Sequence, residues 1–132
     1  VARIFVVDDE QIIADSLTAI FIGHLHQASA FYDGESALAA CEPSPPDCII
    51  SDVVMPGISG IELAEAVYER YPECRIILFS GQATTLDLLE TARRRGHDFE
   101  LLPKPLHPQE ILARIELRST PGSAPANQSA CR

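Results

Sequence analysis

The sequence predicts an α/β fold in which a parallel sheet is covered by helices on both faces, and two observations carry that reading. Apolar runs of strand length recur five times, and segments with helical apolar spacing separate them, so β and α alternate along the chain. The runs are also nearly continuous in apolar residues, as strands buried on both sides must be. At 132 residues the length suits one domain with one conventional core.

The first strand is read at residues 4–7, and Ile12, Ile13, Leu17, Ile20 and Phe21 follow at helical spacing. A weaker second strand at 28–31 leads into a helix carrying Ala37, Leu38 and Cys41. Pro43, Pro45 and Pro46 end that helix, because proline lacks the amide N–H a helix needs. The third strand is read at 48–51, and its helix holds Ile61, Leu63, Ala64, Val67 and Tyr68 before Pro72 closes it. A fourth strand at 75–79 precedes a helix with Leu86, Leu88, Leu89 and Ala92. Arg93, Arg94 and Arg95 suit the negative end of that helix, and Gly96 suits a left-handed cap. The fifth strand is read at 100–102, and Pro108, at a favoured first helical position, opens a helix with Ile111, Leu112, Ile115 and Leu117. After Arg118 the segment STPGSAPANQSACR is small, polar and twice interrupted by proline. It is expected to be a flexible linker or disordered tail, 119–132, beside a folded domain at 1–118.

Composition narrows the function. The formal net charge of −9 repels phosphate backbones and argues against direct nucleic-acid binding by this domain. No segment approaches the roughly 18 consecutive apolar residues of a membrane span, and the N-terminus has no signal-type core, so a cytoplasmic location away from the membrane is expected. The cysteines, Cys41, Cys48, Cys74 and Cys131, form no C-x-x-C pair and are read as reduced thiols.

The stretch FVVDDEQ sets an apolar strand directly against Asp8, Asp9 and Glu10. Ligands of open parallel sheets bind beyond the carboxyl ends of the strands. Asp8 and Asp9 stand at such an end, as do Ser51 and Asp52 after strand three, Ser80 and Gly81 after strand four, and Lys104 after strand five. Converging carboxylates raise one another's pKa or recruit a cation, and an all-oxygen set favours a hard ion, with Mg2+ the best candidate. Capping of the first helix would explain Asp8 to Glu10 but not the arrival of Asp52 at the same corner. Asp52 is the candidate nucleophile: a carboxylate that attacks a phosphoryl group gives an acyl phosphate. Lys104 could pair with that group and the Ser80 hydroxyl could donate to it, while Gly81 leaves room for a donor. Singly, a serine at a strand end and a lysine between prolines are ordinary; their shared location carries the weight.

The acidic pair Asp8-Asp9, the segment SDVVMPGISG with Asp52, Met55, Pro56 and Gly60, the Ser80-Gly81 pair, and LLPKPLHP with Lys104-Pro105 stand in one order. Over residues 3–118 the chain resembles the receiver domains of two-component response regulators. The resemblance implies a flavodoxin-like, doubly wound three-layer sandwich with strand order 2-1-3-4-5 and five helices. It implies that Asp52 accepts phosphate from a sensor histidine kinase or phosphotransfer protein. Asp9 would bind Mg2+ directly and Asp8 largely through water, with Asp52 and the backbone carbonyl of Val54 completing the protein ligands. Ser80 and Lys104 would read the phosphoryl group, and the Lys104-Pro105 bond would be cis. Such a domain is a switch rather than a turnover enzyme, limited to accepting its own phosphoryl group and losing it. Its expected partners are the kinase, a downstream protein target or output domain, and a phosphorylation-linked second copy.

The chain departs from the family pattern at two places. Leu101 occupies the usual switch-aromatic position, with Phe99 the nearest aromatic, so signal transmission is expected to rely on backbone movement of the loops after strands four and five. Val54 replaces a polar residue often found two after the phosphorylated Asp, with Gln82 two after Ser80; an apolar residue there should position attacking water poorly and lengthen the life of the acyl phosphate. The arginines at 93–95 are read first as helix-end charges and second as part of a docking face. His97 and His107 are read as loop residues.

Other classes fit less well. An Asp-nucleophile, Mg2+-dependent phosphatase of the haloacid dehalogenase type needs a general acid two residues after the nucleophile, and Val54 cannot serve. A flavodoxin-like cofactor binder wants a hydroxyl- and glycine-rich phosphate loop where Asp8 and Asp9 would repel the anion. A phosphate-independent receiver-like interaction module remains the main alternative, although every charged position of the family pattern is occupied.

Overall fold

The computed structural model describes residues 2–80, 85–96, 99–103 and 107–119. The strands β1 (Arg3–Val7), β2 (Gln27–Phe31), β3 (Cys48–Asp52), β4 (Arg75–Ser80) and β5 (Glu100–Pro103) pair in parallel in the order β2-β1-β3-β4-β5. Each runs one residue beyond its expected span at one end. The order reverses between β1 and β3, so their carboxyl ends flank a crevice of the kind that holds ligands in such sheets.

Five helices fill the connections: α1 (Gln11–Gly23), α2 (Gly34–Ala40), α3 (Gly60–Arg70), α4 (Thr85–Arg94) and α5 (Pro108–Ser119). Alternation along each strand divides the core in two. Phe5, Val7, Ile49, Ile76 and Leu78 face a cluster completed by α2, α3 and α4. Ile4, Val6, Ile50, Ile77 and Phe79 face the opposite cluster with α1 and α5. All five residues of β3, in the middle of the sheet, are buried, whereas β2 lies at the edge and is only partly covered. That position explains its weak sequence signal, QASAF.

The helix ends follow the expected chemistry. Gly96 takes φ +92° and its N–H reaches the Arg93 carbonyl, ending α4. The His107 carbonyl accepts from the N–H groups of Glu110 and Ile111 as α5 opens at Pro108. α5 runs to Ser119, one residue past the expected domain edge. The buried stripe of α1 passes through Ala14, Leu17 and Phe21, so Ile12, 82% exposed, and Ile20 point outward instead of joining the core. Tyr68 is likewise exposed on α3. Apolar spacing found these helices but did not identify the inward face residue by residue.

The end of α1 carries a two-bond C-terminal motif, His26 N–H to Phe21 O at 3.1 Å and Leu25 N–H to Ile22 O at 2.9 Å. The residue in the left-handed position is Leu25, with φ 71°, rather than glycine, and its side chain is 78% exposed. Leu25→Gly is therefore expected to stabilise the fold by about 1 kcal/mol, because it removes the left-handed penalty and sacrifices little packing. Thermal denaturation checks this, and an unchanged or lower midpoint refutes it.

At the amino end of the sheet Arg75 forks onto Glu100 with two bonds of 3.0 Å, and Arg114 reaches Glu100 at 3.1 Å, tying β4, β5 and α5 together. Cys41, Cys48 and Cys74 are buried, and burial pushes the Cys41 thiol pKa up. Among the described residues no helix is long and apolar enough to cross a membrane.

Candidate functional site

Asp8 follows the last residue of β1, and its N–H donates to the Phe31 carbonyl at 3.0 Å, continuing the contact with β2. Its Oδ1 accepts from the Glu10 N–H at 2.9 Å, a side-chain turn that swings the chain toward α1. Glu10 is the N-cap of α1 and makes no side-chain cap bond. Helix capping therefore does not account for the acidic run.

Asp52 is the last residue of β3 and lies opposite Phe79. Although far apart in sequence, Asp8, Asp9 and Asp52 each offer a carboxylate oxygen within 4.8 Å of the others. Asp8 and Asp52 are 0% and 7% exposed, while Asp9 is open to solvent. Three carboxylates, two fixed in the interior and one at the surface, suit a hard divalent cation that keeps part of its water shell. The sequence expectation that these three acids meet is thus met by the geometry.

Ser80, 7% exposed, ends β4 one step beyond Phe79, and Pro103 of β5 pairs with it. Lys104 follows Pro103 in the chain; with Gly81, Gln82, His97, Pro105 and Cys131 it lies outside the described residues. Phe99 and Leu101 are partly buried against the cluster formed with α2, α3 and α4.

The loop between β3 and α3 is tightly tied. Val53 N–H donates to the Phe79 carbonyl at 3.1 Å, and Gly60 N–H donates back to the Val53 carbonyl at 2.8 Å. A capping box fixes the start of α3, with Glu62 N–H to Ser59 Oγ at 3.1 Å and Ser59 N–H to Glu62 Oε1 at 2.9 Å. Gly57 adopts φ +77°, the left-handed region that glycine enters without penalty. Val54, 40% exposed, lies two residues beyond Asp52 in the chain.

On the β2 side, the Tyr32 hydroxyl donates to Asp15 Oδ1 at 2.6 Å, and this bond holds the Tyr32 pKa up. Asp33 caps α2 by accepting from Ser36 N–H at 2.6 Å, which holds its own pKa down. Arg93 and Arg94 bridge to Glu90 within α4, and Arg95 bridges to Glu65 of α3 at 2.9 Å. All three arginines thus have acidic partners on α3 or α4.

Sequence reasoning missed the capping box and the role of Glu35, which accepts from the Ile58 N–H at 3.1 Å. The capping box was open to it as the S-x-x-E pattern at 59–62. Glu35 carries no local signal, because its partner stands on a loop that only the tertiary fold brings near.

Residues 4–116 match the family model described as the response regulator receiver domain. The chain is similar to the DNA-binding response regulator MtrA of Mycolicibacterium smegmatis, 29% identical over 116 residues, covering 88% of this chain and 50% of that protein. It is also similar to the DNA-binding transcriptional regulator NtrC of Salmonella typhimurium, 32% identical over 113 residues, covering 86% of this chain and 24% of that one. It thus spans half the length, or less, of these relatives. Among solved structures, the response regulator TrrA of Thermotoga maritima in complex with Mg2+-BeF is 27% identical with a TM-score of 0.74, covering 88% of this chain and 97% of that one.

Proposed function

This chain belongs to the response regulator receiver domain family of two-component signal transduction, and from that premise we propose that Asp52 is its phospho-acceptor. An oxygen of Asp52 attacks the phosphorus of a phosphohistidine on a sensor kinase or phosphotransfer protein. The new P–O bond forms as the P–N bond breaks, and the bonding pair leaves with the imidazole, which takes up a proton. Asp9, Asp52 and the Val54 carbonyl would hold Mg2+ directly, with Asp8 acting largely through water. Bound there, the ion would neutralise charge on the transferring oxygens. The Ser80 hydroxyl donates to the phosphoryl group and Lys104 pairs with it, contacts complete only when their loops close. Phosphorylation thereby shifts a two-state equilibrium toward the closed form.

The observation that supports this most strongly is the meeting of Asp8, Asp9 and Asp52 within 4.8 Å. The domain is taken as 1–118, with α5 running one residue further. Its closed form acts on a downstream protein, an output domain or a second copy, in the cytoplasm. MtrA and NtrC are DNA-binding regulators, and the Mg2+-BeF complex of TrrA supports the choice of ion. Apolar Val54 leaves no general acid for turnover of outside esters, so the chemistry stays on Asp52 and the acyl phosphate is long-lived.

Incubation with Mg2+ and acetyl phosphate, followed by peptide mass spectrometry, tests the assignment. One phosphoryl group is expected on Asp52, with none in Asp52→Asn or after chelation. Uptake at another residue, or none in the parent, overturns it.

A further inference from the structure

We infer that Glu35 is a positioning residue for this site: its carboxylate holds the middle of the loop that follows Asp52 and so sets the backbone carbonyl of Val54. The inference rests on the proposed function and deepens it. The two ends of the loop are fixed by the Val53 and Gly60 backbone bonds, at 3.1 and 2.8 Å. Between them, the Ile58 N–H donates to Glu35 Oε2 at 3.1 Å, a contact with α2 across 23 residues of chain. A carboxylate is a strong acceptor for a backbone N–H.

Two glycines make the contact possible and interlock it. Gly57 passes so close to the Glu35 carboxylate that a Cβ there would lie 2.6 Å from Oε2 and 2.9 Å from Oε1. Gly34, beside Glu35, gives the matching space on α2, because a Cβ there would lie 2.6 Å from Cγ1 of Ile58. The first turn of α2 is itself anchored by the Asp33–Ser36 cap at 2.6 Å. A rigid helix start therefore grips a loop whose ends are already tied, and Val54 lies on the gripped span. Groups that orient a ligand without touching the metal act in this way.

Glu35 could instead act merely by adding negative charge near the crevice, and glutamine separates the two, since it keeps an acceptor oxygen and loses the charge. Mg2+ affinity is measured by calorimetry for the parent, Glu35→Gln and Glu35→Ala, together with thermal midpoints and the rate of Asp52 labelling by acetyl phosphate. Glu35→Ala is expected to weaken Mg2+ binding about tenfold, with slower labelling and a midpoint close to the parent's. Glu35→Gln is expected to stay close to the parent throughout. Unchanged affinity in Glu35→Ala overturns the inference, and so does equal weakening in both variants, which would leave only a field effect. A fall in affinity matched by a large loss of midpoint would mean general loosening and overturns it too. A parent that takes up no phosphate on Asp52 defeats the functional reading itself, whereas a labelled parent beside an unaltered Glu35→Ala defeats only the role of Glu35.

Discussion

Gly60→Ala is expected to destabilise the domain by about 3 kcal/mol or more, at the upper end of what a single added methyl group does. A Cβ at position 60 would lie 2.1 Å from the carbonyl oxygen of Asp52, 2.9 Å from its carbonyl carbon and 3.0 Å from Cα of Val53. All three atoms are backbone, so no side chain can rotate out of the way. Nor can β3 retreat cheaply, because the Val53 N–H is held by the Phe79 carbonyl on β4 at 3.1 Å. The start of α3 must move instead, which breaks the Gly60 N–H bond to Val53 and pulls on the Ser59–Glu62 capping box. Urea denaturation measures the loss as a lower midpoint. Gly23→Ala is the control: nothing lies within 4 Å of its added Cβ, and alanine in the last turn of a helix is expected to be neutral or slightly favourable. Equal stability of Gly60→Ala and the parent would show that α3 does not begin against the end of β3.

The glycine also marks the limit of what the sequence discloses. Its place in SDVVMPGISG was visible, but the reason a methyl group is forbidden there lies in the approach of α3 to the Asp52 carbonyl, a tertiary fact. The strands were legible because burial on both faces leaves unbroken apolar runs, and β2 read weakly because an edge strand is freed from that demand. Ile12, Ile20 and Tyr68 keep the helical spacing yet lie exposed, because spacing identifies a helix more readily than it identifies the covered face. The acids were legible for a different reason. A parallel sheet sends every strand's carboxyl end to one side, so Asp8, Asp9 and Asp52 belonged on one edge once the strands were assigned, and the pairing of β1 with β3 brings them together. Glu35 had no such rule behind it, since its partner Ile58 sits on a loop whose path depends on Gly34 and Gly57 together.

Without divalent ions, Asp52→Asn is expected to be more stable than the parent, and with Mg2+ the order is expected to reverse. Asp8 and Asp52 are both buried, with oxygens no more than 4.8 Å apart. Two unit charges at that separation repel by about 3 kcal/mol at an effective dielectric of about 20. The Glu10 N–H bond to Asp8 offsets part of this, so a net gain of about 1 kcal/mol is expected when Asn removes one charge. Mg2+ acts in the opposite direction on the parent, because an ion that binds only the folded state adds about 2.7 kcal/mol at one hundred times its dissociation constant. Asp52→Asn lacks one carboxylate of the set and gains much less. Thermal midpoints recorded across a Mg2+ titration should therefore start with the variant above the parent and end with it below, the two curves crossing once. Parallel curves would mean that the ion binds somewhere other than these three acids, and a variant already less stable without the ion would mean that the crevice carries no stored repulsion to relieve. The crossing requires both that repulsion and the site of binding, so neither explanation alone can produce it.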